Sequence, residues 1–166
     1  WTTWSDNKKG KMMAGSTDLM TYWSSALNLR AGLRRLALKG RQEDFLAELA
    51  PRHLRWILHD WPVWTGAAQR PPLAPWRTWL LLGGRGAGKT RAGAEWLHGL
   101  VVGDRHFAGD PAGRVALVGE TYGDARAVMI EGESGQLAVA RRGERPDWSP
   151  SLRRLYWPGR GVVGQV

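Results

Sequence analysis

The sequence predicts an α/β fold: a partial parallel sheet with flanking helices, behind a helical N-terminal arm and finished by a C-terminal β-hairpin. Three observations carry this. The short apolar run Trp76–Leu82 leads through a glycine-rich stretch into residues at helical spacing, Arg91–Val102. A second apolar run, Val115–Val118, follows a loop rich in Gly, Asp and Pro, Gly103–Gly113. Near the end, Leu152–Trp157 and Val162–Val166 flank Pro158, Gly159, Arg160 and Gly161, a strand, turn and strand. A length of 166 residues, about one ordinary domain, and a hydrophobic content of 43% allow a packed core.

Taken in order, Trp1–Lys11 is polar, basic and aperiodic, and is assigned no fold. The chain opens on Trp1 and closes at Val166 inside a strand-like run, so it is expected to be a piece of a longer reading frame, with Met12, Met13 and Met20 as candidate starts. From Asp18 to Leu38, Leu19, Tyr22, Trp23, Ala26, Leu27, Leu33 and Leu36 recur at helical spacing, with Arg30, Arg34, Arg35, Lys39 and Arg41 mostly between them. One or two short basic amphipathic helices are expected. They dock on a core with solvated arginines, or form an arm that touches DNA, a portal or a membrane. Glu43–Ala50 and Arg52–Trp61 read as a helical pair, with Pro51 suited to the first turn of the second. Pro62–Pro75, with four prolines, is a loop and a composition break between a helical front and an α/β body. Residues 1–41 are read as tail and basic arm, 42–166 as the body.

Within that body, Trp76–Leu82 reads as a buried parallel strand, because an interior strand is apolar on both faces. Arg91–Val102 places Ala92, Trp96, Leu97, Leu100 and Val101 on one helical face. Val115–Val118 gives a second buried strand, so Trp76–Val118 is expected to be a βαβ unit with a right-handed crossover. Helices are expected near Asp124–Ile130 and Gln136–Arg142.

Charge and composition narrow the chemistry. With 24 Lys and Arg against 15 Asp and Glu the net charge is +9, which favours a polyanionic partner such as nucleic acid. The absence of cysteine excludes disulfides and Cys-ligated metal, and four histidines without ligand spacing argue against a His-based zinc site. No apolar run approaches the ~18–20 residues of a membrane span, and no signal peptide is recognisable. A cytoplasmic protein is the expectation.

Gly83, Gly84, Arg85, Gly86, Ala87, Gly88, Lys89 and Thr90 satisfy G-x-x-x-x-G-K-[ST] in full, in the strand, loop, helix order that a phosphate-binding loop (P-loop) requires. The glycines let the backbone curl so that successive N–H groups point at phosphate oxygens, where a Cβ would intrude. Lys89 is expected to meet the β and γ phosphates of ATP and Thr90 to give its hydroxyl to Mg²⁺, above the positive end of the following helix. Arg85, four residues before Lys89, either touches the phosphates as a second cation or points to solvent. Gln69 lies upstream of the first strand, where several motor ATPases place an adenine-reading glutamine; a solvated side chain is the alternative.

Hydrolysis also needs a carboxylate at a strand end to hold the Mg²⁺ shell, and an acid to activate water. Glu120, after Val115–Gly119, is the local candidate. It follows the very next strand after the P-loop helix, however, whereas the additional-strand motor ATPases insert one more, so a strand-end or substrate-loop role is preferred. Trp148 and Trp157, near Arg145, Arg153 and Arg154, stack on nucleic acid or, the preferred reading, anchor core and surface.

The runs WRTWLLLGGRGAGKTRAGA, Trp76–Ala94, and RVALVGETYGDARAVM, Arg114–Met129, resemble the large terminase subunit of tailed phages and gene transfer agents. More loosely, the likeness extends from Phe45 to Val166. The resemblance implies a P-loop NTPase domain of the additional-strand (ASCE) type that hydrolyses ATP with Mg²⁺ and drives double-stranded DNA into a procapsid in the host bacterial cytoplasm. A nuclease domain of the RNase H type would follow in the complete protein. It also implies a portal protein, a small terminase subunit and a ring of like subunits as partners. Lys89 and Arg85 would be the catalytic cations, Gln69 and Gly83–Thr90 would hold the nucleotide and Thr90 the metal. No apolar strand ending in an acidic pair occurs in the sequence, so the chain by itself is expected to bind ATP without efficient hydrolysis. A helicase-like P-loop NTPase and a non-hydrolysing nucleotide-binding remnant are the alternatives, separable by the reading frame on either side.

Overall fold

The computed structural model describes residues 9–72, 76–103, 112–141 and 143–166, with side chains from residue 24 onward. The side chains of Met12, Met13, Leu19, Met20, Tyr22 and Trp23 lie outside that description, as do most of the Gly103–Gly113 loop and Arg142. The chain divides into two compact units between Trp64 and Thr65, inside the predicted composition break.

The first unit is helical. α1 is one continuous helix, Lys9–Leu38, where one or two short helices from Asp18 were expected, and it takes in three of the eleven residues assigned no fold. Its packed stripe runs through Ala26, Leu29 and Leu33, one helical face at i, i+3 and i+7. Leu27, expected on that stripe, is exposed, as are Arg34 and Arg35. α2 is Gln42–Glu48 and α3 is Pro51–His59, with Pro51 at its first position, where its missing N–H is no loss. A further turn, α4, Trp61–Trp64, falls where a loop was expected. Val63 of α4 is fully buried with Ile57, Ala26 and Leu33, so apolar burial overrides the local proline signal.

The second unit is mixed α/β. α5, Lys89–Val102, starts after Gly88 and ends at Gly103, both left-handed. It buries Ala92, Leu97 and Val101 as expected, while Trp96 is half-buried. The sheet has four strands in the order β1-β4-β3-β2: β1 Arg114–Ala116, β2 Asp147–Ser149, β3 Arg154–Trp157 and β4 Val162–Gln165. β3 and β4 form the predicted hairpin, with Arg154 opposite Gln165 and Trp157 opposite Val162. β2, not anticipated, extends it antiparallel, and β1 joins the other edge in parallel with β4. Leu97, Val101, Ile130, Leu155, Trp157 and Val162 form the core between α5 and this sheet.

The first half of the predicted βαβ unit is corrected. Residues 76–82 form no regular element, with a bend at Arg77, and enter no sheet, and Leu80 and Leu82 are 72% and 82% exposed. An interior parallel strand needs a partner strand as well as apolar composition, and no described strand pairs with this run. What holds it is aromatic: Trp76 and Trp79 lie 5.7 and 6.3 Å, centroid to centroid, from Trp96 of α5, and 6.0 Å from each other. The second strand is shorter than expected and lies at an edge. Its ladder continues to Leu117, whose N–H donates to Gln165 O, and Val118 beyond is 81% exposed.

Two helices are also reshaped. Thr121 accepts the N–H of Asp124 and caps a single turn, α6, Tyr122–Asp124. This passes into a π-helical turn, Ala125–Ile130, in which Glu131 N–H donates to Arg126 O, five residues back. The predicted Gln136–Arg142 helix is one turn, α7, Gln136–Val139, tied to α5 by the buried Gln136 amide, which donates to Ala94 O at 2.9 Å.

Candidate functional site

The glycine-rich stretch curls onto the start of α5. Gly86 and Gly88 have φ of +80° and +74°, conformations that side chains with a Cβ rarely adopt, and Ala92 N–H donates to Gly88 O at 2.9 Å to begin the helical ladder. The loop is closely wound: a Cβ on Gly83 would come within 2.8 Å of the Ala87 methyl. Lys89, the first residue of α5, bends its side chain back over the loop, and Nζ donates to Gly83 O at 2.7 Å and Gly84 O at 2.8 Å. An ammonium group therefore sits at the loop's open face, held by two carbonyls and exposed to solvent.

A second chain segment reaches the same loop. Ala67–Gln69 is a 3₁₀ turn, and the Gln69 side-chain Oε1 accepts the Gly66 N–H at 2.8 Å. Its Nε2 donates to Ala87 O at 2.9 Å, eighteen residues on in sequence. The amide rests directly over the Gly88 Cα, where any Cβ would collide with it.

Of the residues singled out by sequence, the structure brings together Gln69, Gly83, Gly84, Ala87, Gly88 and Lys89. Arg85 is exposed on the loop, and Thr90 is half-buried at the second position of α5. Glu120 is exposed after β1, beyond the end of its ladder. Trp157 is 1% exposed in the core. Trp148 is half-buried and donates to Glu131 Oε1, which also accepts from Arg126 and holds that guanidinium pKa above its ordinary value. Arg153 lies over the Tyr122 ring at 4.5 Å. Two features beside the loop escaped the sequence reading: the Trp76, Trp79 and Trp96 cluster, and the Arg91–Glu95 ion pair at 2.6 Å in the first turns of α5. The pair is a helical i, i+4 match and could have been read from spacing; the cluster joins Trp76 and Trp79 to Trp96, which is too distant in sequence for any local pattern.

The family model for the N-terminal part of the terminase large subunit of the T4-like virus type matches residues 80–164, just over half of the chain. The chain belongs to that family. The match begins at Leu80, just before the glycine loop, and takes in α5, β1, the π turn and the hairpin, so the terminase segment and the α/β unit largely coincide. No curated protein and no solved structure matches this terminase chain. Among its described residues no helix is long and apolar enough to cross a membrane.

Proposed function

We propose that this chain is the ATP-binding part of a terminase large subunit, which powers translocation of double-stranded DNA into a procapsid. The observation that carries the reading is the Lys89 ammonium poised over a glycine loop at the N-terminus of a fourteen-residue helix. A cation, curled backbone and a helix N-terminus are what a polyphosphate needs. The residues suit Mg-ATP: Gly86 and Gly88 let the backbone curl at positive φ, and Lys89 Nζ, exposed and bonded only to the loop carbonyls of Gly83 and Gly84 among the described residues, is a cation that phosphate oxygens can engage.

In this reading Lys89 leaves Gly83 O and Gly84 O for the β and γ phosphates and stabilises the charge that develops during phosphoryl transfer. The Thr90 hydroxyl would hold the magnesium ion, which supplies neutralisation of the phosphate charge. Arg85, exposed on the loop, is the second cation able to approach the γ phosphate. A net charge of +9 suits a protein that works on DNA. Double-stranded DNA, a portal protein, a small terminase subunit and further copies in a ring are the partners, in the host bacterial cytoplasm.

The test is calorimetric titration of Mg-ATP into the wild-type chain and Lys89→Ala. Binding by the wild type and its loss in the variant are expected. Equal affinities would remove the loop from the account.

A further inference from the structure

Gln69 has both ends of its amide engaged. Oε1 accepts from Gly66 N–H and Nε2 donates to Ala87 O, inside the loop itself, so the side chain spans two backbone segments. Thr65, fully buried, stands within 3.4 Å of the same Oε1. The amide plane lies on the one face of Gly88 that a Cβ would occupy. Glycine at position 88 therefore serves this contact as well as the left-handed turn. A glutamine that reads adenine directs its amide at the base, whereas here one of the two amide N–H groups is committed to the loop and the amide oxygen to Gly66.

We infer that Gln69 is a positioning residue that braces the phosphate-binding loop through the Ala87 carbonyl, setting affinity for the phosphate chain of any nucleotide rather than for adenine. This rests on the phosphate-binding reading of Gly83–Thr90. The Ala87 carbonyl must face away from an incoming anion, because an unanchored carbonyl turned inward would place a negative dipole against the phosphates. The Gln69 Nε2 bond fixes the direction of that carbonyl. Thr65–Gln69 is thus part of the phosphate site although none of its side chains need touch the phosphates.

The experiment is calorimetric titration with Mg-ATP, Mg-GTP and Mg-tripolyphosphate, which has phosphates and no base, on the wild type, Gln69→Leu and Gln69→Glu. A lost neutral hydrogen bond corresponds to a drop of roughly three- to tenfold. The inference expects that drop in Gln69→Leu for all three probes alike, with the thermal midpoint of the free protein little changed. Gln69→Glu keeps the Gly66 bond but, ionised, has no proton for Ala87 O. Its tripolyphosphate affinity relative to wild type should rise again as the pH falls through the carboxyl range, where the protonated acid can donate. A loss confined to ATP, with GTP and tripolyphosphate unchanged, would overturn the inference in favour of adenine reading. No loss for any probe would overturn it too. If the wild type itself binds none of the three, the phosphate-loop reading falls, and this inference with it.

Discussion

The sheet of residues 114–166 and the loop of residues 83–90 are both attached to α5, and they are held by different physical means. The sheet is secured by ladder pairing and by burial of Trp157, Leu155, Val162 and Ile130 against Leu97 and Val101, residues far apart in sequence. The loop rests on a few hydrogen bonds from Lys89 and Gln69, and the segment leading into it rests on three indole rings. The cohesive part of the unit is therefore distinct from the loop proposed above to bind nucleotide. A loop with few buried contacts opens locally at low cost, as a site that must admit and release a ligand requires.

The sharpest way to break this comparison is at Trp157. Trp157→Ala removes the largest fully buried side chain among the described residues and should destabilise the second unit by about 3–5 kcal/mol, in the range of large aromatic truncations in cores. Urea unfolding followed by far-UV circular dichroism measures it. A change below about 1 kcal/mol would mean that the sheet is not the cohesive element. Lys89→Ala acts on the other side. It should reduce Mg-ATP affinity by about 2–3 kcal/mol or more, since bonds to charged groups are worth about 1.5–3 kcal/mol each, with unfolding by urea hardly altered. A parallel fall in stability would show that loop and core are not separable.

What the sequence made legible follows the same division. The glycine turn into α5, α5 itself and the β3–β4 hairpin are local, each set by residues within one short window, such as Gly88-Lys89-Thr90 or Pro158–Gly161, and each is where it was expected. Trp76–Leu82 was misread because strand formation is decided by a partner, and apolar composition records burial demand without naming that partner. β2 was missed because Asp147-Trp148-Ser149 has no β-branched run and is made a strand by β3 beside it. The π turn lies between the Thr121 cap and Ile130 in the core, and residue spacing alone does not reveal it. The Gln69 bridge to Ala87, eighteen residues away, was visible only as an isolated glutamine in a loop.

Trp96 sharpens the comparison from the middle. Trp96→Leu keeps an apolar side chain on α5 and removes ring contacts with Trp76 and Trp79 worth about 0.5–1.5 kcal/mol each. Global stability should fall by about 1–3 kcal/mol. The stronger signature is local: proteolytic cleavage within residues 76–82 should accelerate more than amide hydrogen exchange in β3 and β4. Equal acceleration in both would mean that the segment and the sheet open as one cooperative unit.

The smallest effect is expected at Glu120, and it decides whether β1 delivers a catalytic acid to the loop. An acid that holds a metal shell beside a phosphate site stands at the end of a strand fixed within the sheet, since its oxygens must be positioned to a fraction of an ångström. Glu120 does not meet that description: β1 is an edge strand, its ladder ends at Leu117, Val118 is exposed, and Glu120 is exposed beyond it. Glu120→Gln should therefore leave Mg-ATP affinity within about twofold of wild type, the scatter of a surface substitution. Steady-state phosphate release should be near background for both proteins, because binding by Lys89 and Thr90 without a placed acid leaves most of the transition-state stabilisation unmade. Robust release by the wild type that disappears in Glu120→Gln would reverse the assignment. The exposed end of β1 would then have to close onto the phosphate loop when ATP binds, and the contrast between a cohesive sheet and a separate chemical loop would give way to a single site built from both.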